Sequence, residues 1–473
     1  MSDWNSVTKA SDAAEVGGLH MSDEAELAGM GYKQELKRDL SLSQNFGVSF
    51  SIISVITGGT CLLPFGLTTG GPAVMVWGWV IVAFFTMLVG LAMAEICSAY
   101  PTSGGPSYWA AIISKPKGAR LASWVTGWFS VLGQVAVTTG VSIPCAEFIS
   151  TTATICTNYQ PSTHKTIGIF AAILFAQGTI NTFGIHVLKY LSIISVWWNS
   201  LGTISLLIAI LTAAPKHQSG KFVFRTFIDG TGVDGVGWSQ RSSPVYVAVI
   251  GILMAQWTMT GFDASAHMAE ETRNAALIGP IGILTTFSIT SNSRMMYAFS
   301  RDATIPTSEF FHKVDRRWHS PIRTVWLSCT LSFILGFLSL GSPVALNAAT
   351  SIATIGAYTS YGVPIALRVV HSDRFVRGPF HLGRFSHPVA IAAVLWIGFI
   401  LIVFCLPEVN PVNLQTFNYA PVAAGLVLTF ALLFWAVSAR KWFTGPIKDI
   451  ADDQMIVDVV EAMAVSGIHN YSQ

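Results

Sequence analysis

The sequence predicts an all-α protein, a polytopic bundle of helices that crosses a membrane many times. Hydrophobic residues make up 52% of its 473 residues and charged residues only 11%. The mean hydropathy is +0.54, which excludes an ordinary soluble globular domain. The net charge is +2, and the basic residues lie in short loops, so no nucleic-acid partner is expected.

The apolar runs have the length that a membrane-spanning helix needs. Such a helix takes about 20 residues, because the hydrocarbon core is about 30 Å thick. The runs are apolar around their whole circumference, as expected for helices in lipid or in a bundle core. We expect about ten spans, at residues 46–69, 73–97, 124–149, 167–182, 187–213, 245–261, 325–340, 345–369, 388–406 and 419–437.

Lysine and arginine alternate between the loops in a way that orients the bundle. The loops near residues 33–38, 115–120, 294–323, 368–384 and 440–448 are basic, whereas the intervening connections are mostly poor in basic residues. Because basic loops stay in the cytosol, both termini are expected there. Residues 1–45 then form a disordered cytosolic N-terminal tail, residues 46–446 the transmembrane domain and residues 447–473 a cytosolic C-terminal tail.

One connection does not fit a regular bundle. Between Arg273 and Arg294 the apolar stretch is only about a dozen residues long, too short for an ordinary span. If it crossed the bilayer, the basic loop from Arg301 to Arg323 would lie outside, against the charge rule. We therefore expect an incomplete, re-entrant or interfacial connector at residues 275–293.

The first predicted span is interrupted by Gly58, Gly59 and Thr60, with Pro64 following. Paired glycines loosen a helix and proline removes a backbone donor. In hydrocarbon, freed backbone groups are tolerated mainly where they line a cavity. The alternative is that the two glycines only allow close helix packing.

The sixth predicted span is interrupted in a similar way, at Gly261. Asp263, His267 and Glu270 follow at helical spacing and share one face. A buried Asp263 needs a partner, water or a substrate, and the alternative is that the span ends early and these groups are solvated. For Glu270 we expect solvation at the cytosolic interface. Two interrupted helices at equivalent positions in two repeats indicate a transporter binding site.

Glu95 stands one turn before the loop that follows the second span. Its expected role is structural, in shaping that loop. A role in gating or proton coupling is the alternative for Glu95, as it is for His267 and Glu270.

Several stretches resemble a known family. The sequence is similar to the fungal amino acid/choline transporters, which include 4-aminobutyrate (GABA) permeases, within the amino acid, polyamine and organocation superfamily. The resemblance is carried by AMAEICSAYPTSGGPSYWAA, GFDASAHMAEETRNA, SNSRMMYAFSRD, FFHKVDRRWHSPIRTVW, FNYAPVAAGLVL and SARKWFTGP.

The resemblance implies two inverted five-helix repeats and uptake driven by protons. It implies that Gly58, Gly59 and Thr60 bind the substrate carboxylate, and that Gly261 to Ala264, including Phe262 and Asp263, face its amine side. Family members have about twelve spans. Here the second repeat lacks its second helix and half of its third, so this chain is expected to transport weakly or not at all.

Other classes of function remain as alternatives. The histidines have no metal-ligand spacing, so neither an enzyme nor a cofactor is expected. The substrate is expected to be an amino acid or a related amine such as 4-aminobutyrate, because free backbone donors suit a carboxylate. A choline permease and a truncated paralogue that senses nutrients without transport are the alternatives. We expect the plasma membrane, with the vacuolar membrane as the other candidate.

Overall fold

The structure is a computed structural model. It describes residues 23–24, 27–32, 34, 38, 55–183, 185–285, 290–302, 304–305, 308–315, 320–339 and 343–446. Within these ranges every regular element is a helix. The polytopic helical bundle expected from the sequence is therefore confirmed, whereas the inverted repeat stays a prediction.

Twenty α-helices follow one another along the described ranges. The first ten are α1 Val55–Cys61, α2 Leu63–Thr68, α3 Gly71–Ala99, α4 Gly105–Ile113, α5 Pro116–Cys156, α6 Thr163–Phe183, α7 Ile185–Ala213, α8 Gly220–Arg225, α9 Trp238–Arg241 and α10 Pro244–Gly251. The others are α11 Leu253–Thr258, α12 Ala264–His267, α13 Ala275–Thr285, α14 Thr290–Arg301, α15 Ser308–Phe311, α16 Ile322–Ser339, α17 Pro343–Val370, α18 Ser386–Val403, α19 Ala420–Phe434 and α20 Arg440–Trp442.

Six of the described helices are long and apolar enough to cross a membrane: Gly71–Ala99, Pro116–Cys156, Thr163–Phe183, Ile193–Ala213, Gly383–Val403 and Ala420–Trp442. The other expected spans correspond to helices that are short, broken or more polar. Pro244–Thr258 and the apolar part of α16 are shorter apolar helices. The helix α17 has 28 residues but buries a row of hydroxyl side chains, at Thr350, Ser351, Thr354 and Ser360.

The helices α5 and α17 form the most extensive contact between any two described helices. They cross where Gly133 meets Gly356. A Cβ on Gly133 would lie 2.5 Å from the Ala357 nitrogen, and one on Gly356 would lie 2.6 Å from the Gly133 nitrogen. Only glycine allows this approach of two backbones, as at small-residue crossings in membrane bundles.

One end of the bundle carries Arg301, and we call it the Arg301 end. Part of the N-terminal tail packs here, with Leu27 and Tyr32 almost fully buried. The Arg38 guanidinium donates to the Thr272 carbonyl at 2.8 Å, and the Gln34 amide donates to the Glu270 carbonyl at 2.9 Å. The tail was expected to be disordered, but these described residues pack against the bundle.

The opposite end carries Glu408, and we call it the Glu408 end. The loop between α7 and α10 folds over it. Asp229 forms a bridge with Thr69, and Gly232 forms one with Asn410. The loop therefore connects the end of the first span with the segment between α18 and α19.

The connector expected at residues 275–293 contains two short helices. The helix α13 has 11 residues and α14 has 12, so each is about 17 Å long and neither reaches across the hydrocarbon core. Residues 286–289 between them lie outside the described residues. No residue of Ile193–Ala213 in α7 is buried, whereas each of the other long apolar helices has buried residues.

Candidate functional site

The first span is broken, but not at the predicted glycines. Gly58, Gly59 and Thr60 all lie within α1, and the interruption falls at Leu62, between α1 and α2. Pro64 lies in the first turn of α2, where the missing amide hydrogen costs nothing. The predicted position of the opening at Gly58 was therefore wrong by four residues.

Gly58 has a packing role in this structure. A Cβ added to it would lie 2.5 Å from the Thr258 methyl group, so the glycine lets α1 approach α11 closely. For Gly59 the nearest such atom is the Met254 Cε, at 4.0 Å. Gly58 alone therefore needs the absence of a Cβ to bring the two interrupted spans together, in agreement with the alternative interpretation of this motif.

The second predicted break is confirmed at Gly261. The helix α11 ends at Thr258 and α12 begins at Ala264. Gly261 between them has φ +100, a backbone conformation that residues with a Cβ rarely adopt. Phe262, Asp263 and Ala264, all buried, follow this turn directly.

Asp263 is buried at the centre of a polar cluster. Its Oδ2 accepts a hydrogen bond from the Gln134 amide of α5 at 2.9 Å. The same oxygen lies 3.3 Å from His267 Nε2, while Oδ1 has no hydrogen-bond partner among the described residues. The interpretation of Asp263 as a buried group, rather than a solvated one, fits these contacts.

Aromatic and amide groups of neighbouring helices complete this cluster. The Phe262 ring lies 6.2 Å from the Tyr358 ring and 5.2 Å from the Tyr361 ring, both on α17. The Tyr361 hydroxyl also interacts with Asp263. The Gln256 amide of α11 donates to the Tyr358 hydroxyl. Four helices therefore contribute polar groups close to the Gly261 break.

His267 joins this cluster to the loop after α3. Its Nδ1 lies 2.9 Å from the Ser103 carbonyl oxygen, and its other ring nitrogen faces Asp263. Gly105, with φ +49, gives the ring its space, because a Cβ there would lie 2.9 Å from the His267 Cε1. His267 is fully buried and lies between Asp263 and the Ser103 carbonyl.

Glu270 was expected to be solvated, and this prediction was wrong. It is fully buried and holds Arg301 of α14 through two hydrogen bonds, of 2.9 and 3.0 Å. The Ser103 amide donates to the same carboxylate at 3.0 Å, and the Arg301 guanidinium lies 4.1 Å from the Tyr32 ring centroid. The ion pair therefore closes the Arg301 end beneath the polar cluster.

Glu95 is also buried in an ion pair. Its Oε2 lies 2.9 Å from Arg368 of α17 and accepts a hydrogen bond from the Ser386 hydroxyl at 3.0 Å. The pair fastens the end of α3 to α17 and α18. This geometry agrees with the structural role expected for Glu95.

Several members of the site were not predicted from the sequence: Gln134, Gln256, Arg301, Tyr358, Tyr361 and Arg368. Gln134 and Gln256 could have been identified from the sequence. Burial of an amide inside an apolar run costs free energy unless the amide has a hydrogen-bond partner. The sequence gives no comparable indication for the tyrosines and arginines. Their positions depend on which helices pack together.

A family model described as amino acid permease matches residues 40–288 and 275–431, which together make up most of the chain. The chain belongs to the amino acid permease family. The amino-acid permease BAT1 of Arabidopsis thaliana is 40% identical over 507 positions, covering 91% of this chain and 97% of that protein. Its homolog from Oryza sativa is 41% identical over 527 positions, covering 94% and 99%.

This permease is also similar to the GABA-specific permease of Saccharomyces cerevisiae, at 28% identity over 521 positions that cover 95% of this chain and 89% of the yeast protein. The alignment with the Arabidopsis protein has more positions than the 473 residues of the chain. That relative therefore has residues without a counterpart here. The two family matches meet and overlap at residues 275–288, within the connector at residues 275–293.

Proposed function

We propose that this permease is a secondary active transporter of amino acids or related amines such as 4-aminobutyrate, and that protons drive the transport. The observation that carries the proposal is the buried carboxylate of Asp263, directly after the Gly261 break. A buried charge beside an interrupted helix is typical of a transporter binding site. In the proposal residues 261–264 face the substrate amine, and the side of α1 that carries Gly59 and Thr60 faces its carboxylate, while Gly58 packs against Thr258.

The two ends of the bundle support alternating access. The Arg301 end is closed by the ion pairs of Glu270 with Arg301 and of Glu95 with Arg368. At the Glu408 end a cavity of about 680 Å³ opens beside Leu62. We infer that transport requires the Arg301 end to open towards the Asp263 cluster.

The pair of Asp263 and His267 supports proton coupling. The two groups are 3.3 Å apart, close enough for an electrostatic attraction when His267 carries a proton. A substrate ammonium group that approaches the Oδ1 of Asp263 would compete with that proton electrostatically. Binding and protonation of the pair are therefore linked in the proposal.

Uptake is expected to depend on the one and a half helices that, by the family resemblance, are missing from the connector at residues 275–293. We expect this chain, expressed in a permease-deficient yeast, to take up radiolabelled 4-aminobutyrate and amino acids weakly or not at all. Insertion of the corresponding segment of the Arabidopsis protein should restore uptake. In the restored protein, Asp263→Asn should lower uptake on the order of tenfold or more, because a charge-assisted hydrogen bond contributes about 1.5–3 kcal/mol.

A non-transporting binding protein is the second candidate, and the short helices α13 and α14 favour it. This second candidate would be supported if the chain bound substrate without transporting it, both with and without the inserted segment. Uptake at the relatives' rate by the chain without the segment would contradict the expected defect. Competition with choline and with a panel of amino acids in the same assay identifies the substrate, and cell-surface abundance of each variant is the control.

The orientation can be tested with one cysteine. Cys156, at the end of α5, is free and exposed. We propose from the charges of the loops that the basic Arg301 end is cytosolic. A single-cysteine variant that retains Cys156 should then react with a membrane-impermeant maleimide on intact cells. Reaction only after permeabilisation would place the Glu408 end in the cytosol. The variant without cysteines is the control.

A further inference from the structure

The cavity at the Glu408 end contains a second candidate ligand site. Its volume is about 680 Å³, and it is lined by residues of several separate segments, among them Leu62, Phe65, Glu147, Thr231, Asn347 and Glu408. Residues 59–60 and 261–264, proposed to bind the substrate, do not line it, although the cavity borders the break of the first span at Leu62. The cavity is therefore distinct from the Asp263 cluster.

Glu408 is the unusual group in this cavity. Its side chain is 5% exposed. The Ser351 hydroxyl donates to its Oε1 at 3.4 Å, and Asn347 also interacts with the carboxyl group. The second oxygen, Oε2, has no hydrogen-bond partner among the described residues. A buried carboxylate oxygen without a donor is costly, so this position favours a ligand that brings donors.

The charge of the cavity wall restricts what that ligand is. Glu147 of α5 is a second carboxylate on the wall. None of the described lining residues is a lysine, arginine or histidine. Two carboxylates without a countercharge on the wall produce a negative potential, which attracts cations and repels anions.

We propose that this cavity binds the ammonium group of an amine, through the Oε2 of Glu408 and with Glu147 as a second carboxylate. An ammonium group brings three donors and a positive charge. The inference rests on the proposed function in one respect, that such an amine is the solute on its way to the Asp263 cluster. The site would then select amines over anions before they reach the Asp263 cluster.

The ionisation of Glu408 makes this binding dependent on pH. Burial raises the pKa of Glu408 to about 7, although hydrogen bonds from Asn347 and Ser351 oppose the rise. The other ionisable groups facing this region are Glu147 and Cys61 on the cavity wall and Tyr246 beside Glu408. Only the carboxylate binds an ammonium ion, so binding should weaken as the pH falls below 7.

The test uses the purified 473-residue chain in lipid nanodiscs and two probes of matched size. Thermal unfolding is followed at pH 8 and constant ionic strength with increasing n-butylammonium or butyrate. We expect n-butylammonium to raise the midpoint of the wild-type chain and butyrate to leave it unchanged. Glu408→Gln should weaken the n-butylammonium response about tenfold or more, and Glu147→Gln should weaken it less.

Asp234→Asn is the matched control, because Asp234 is an exposed carboxylate of the same end that does not line the cavity. It should respond like the wild type. An unchanged n-butylammonium response in Glu408→Gln, or an equal response to butyrate, would overturn the inference. This assay measures binding and not transport. A Glu408-dependent response in a chain that shows no uptake would therefore support the amine site and contradict the proposed transport.

Glu408→Gln should also change the stability of the ligand-free protein in a way that depends on pH. A folded-state pKa of about 7 lies above the ordinary value, so the stability that the neutral carboxyl contributes is present below pH 4.5 and is lost as the pH rises through 7. The variant should therefore have a higher unfolding midpoint than the wild type at pH 8, and an equal one at pH 4.5. A difference independent of pH would contradict the buried position of Glu408.

Discussion

Arg301→Met is expected to destabilise the protein more than any other single replacement considered for this site. The change leaves Glu270 fully buried without its countercharge, and loss of one partner from a buried ion pair costs about 3–5 kcal/mol. The purified variant should unfold at a clearly lower temperature than the wild type. Because the pair also closes the Arg301 end, cysteines placed near Ser103 should become reactive to thiol reagents.

The double replacement Glu270→Gln with Arg301→Met distinguishes an ion pair from a simple packing contact. Removal of both charges should recover much of the lost stability, because no uncompensated charge remains buried. Arg323→Met is the matched control. Arg323 contacts the Phe310 ring and carbonyl at the protein surface, and its replacement should have little effect. Equal losses in the single and double variants would show that the charge pairing contributes nothing.

Gly261→Ala is expected to abolish uptake by a chain that carries the restored segment, and to lower its stability. At φ +100 a Cβ is strained, and such backbone strain costs about 1–3 kcal/mol. The backbone can relieve the strain only by rotating Phe262 and Asp263 away from Tyr361 and Gln134. Both radiolabelled uptake and the thermal unfolding midpoint are measured.

Gly398→Ala provides the control for this replacement. Gly398 lies inside α18, and a Cβ there would have no other atom within 4 Å. Alanine at a helical position without strain stabilises by about 1 kcal/mol at most, so this variant should fold and transport normally. If Gly261→Ala behaved in the same way, the break in the sixth span would not depend on the conformation of Gly261.

The sequence predicted those parts of the site that depend on local chemistry. A glycine followed by an acidic residue inside an apolar run is enough to indicate the break at Gly261 and a functional Asp263. The break of the first span was placed four residues early, because Gly58 and Gly59 can serve either an opening or close packing. Only the position of Thr258 on the neighbouring helix decides between these two.

The environment of Glu270 could not be predicted from the sequence, for a different reason. Its partner Arg301 lies 31 residues further along the chain, and Gln134, the partner of Asp263, lies 129 residues away. Such pairs form through the packing of separate helices. Charge and periodicity alone therefore favoured a solvated Glu270, although the fold supplies a countercharge and encloses both groups.

The contact between Gly133 and Gly356 restricts how this permease can change its shape. Where two main chains touch directly, no layer of side chains is available to slide or to adopt new rotamers. The helices α5 and α17 are therefore expected to stay together as one rigid body throughout a transport cycle. Motion that exposes Asp263 to alternate sides must then come from the interrupted segments turning against this body.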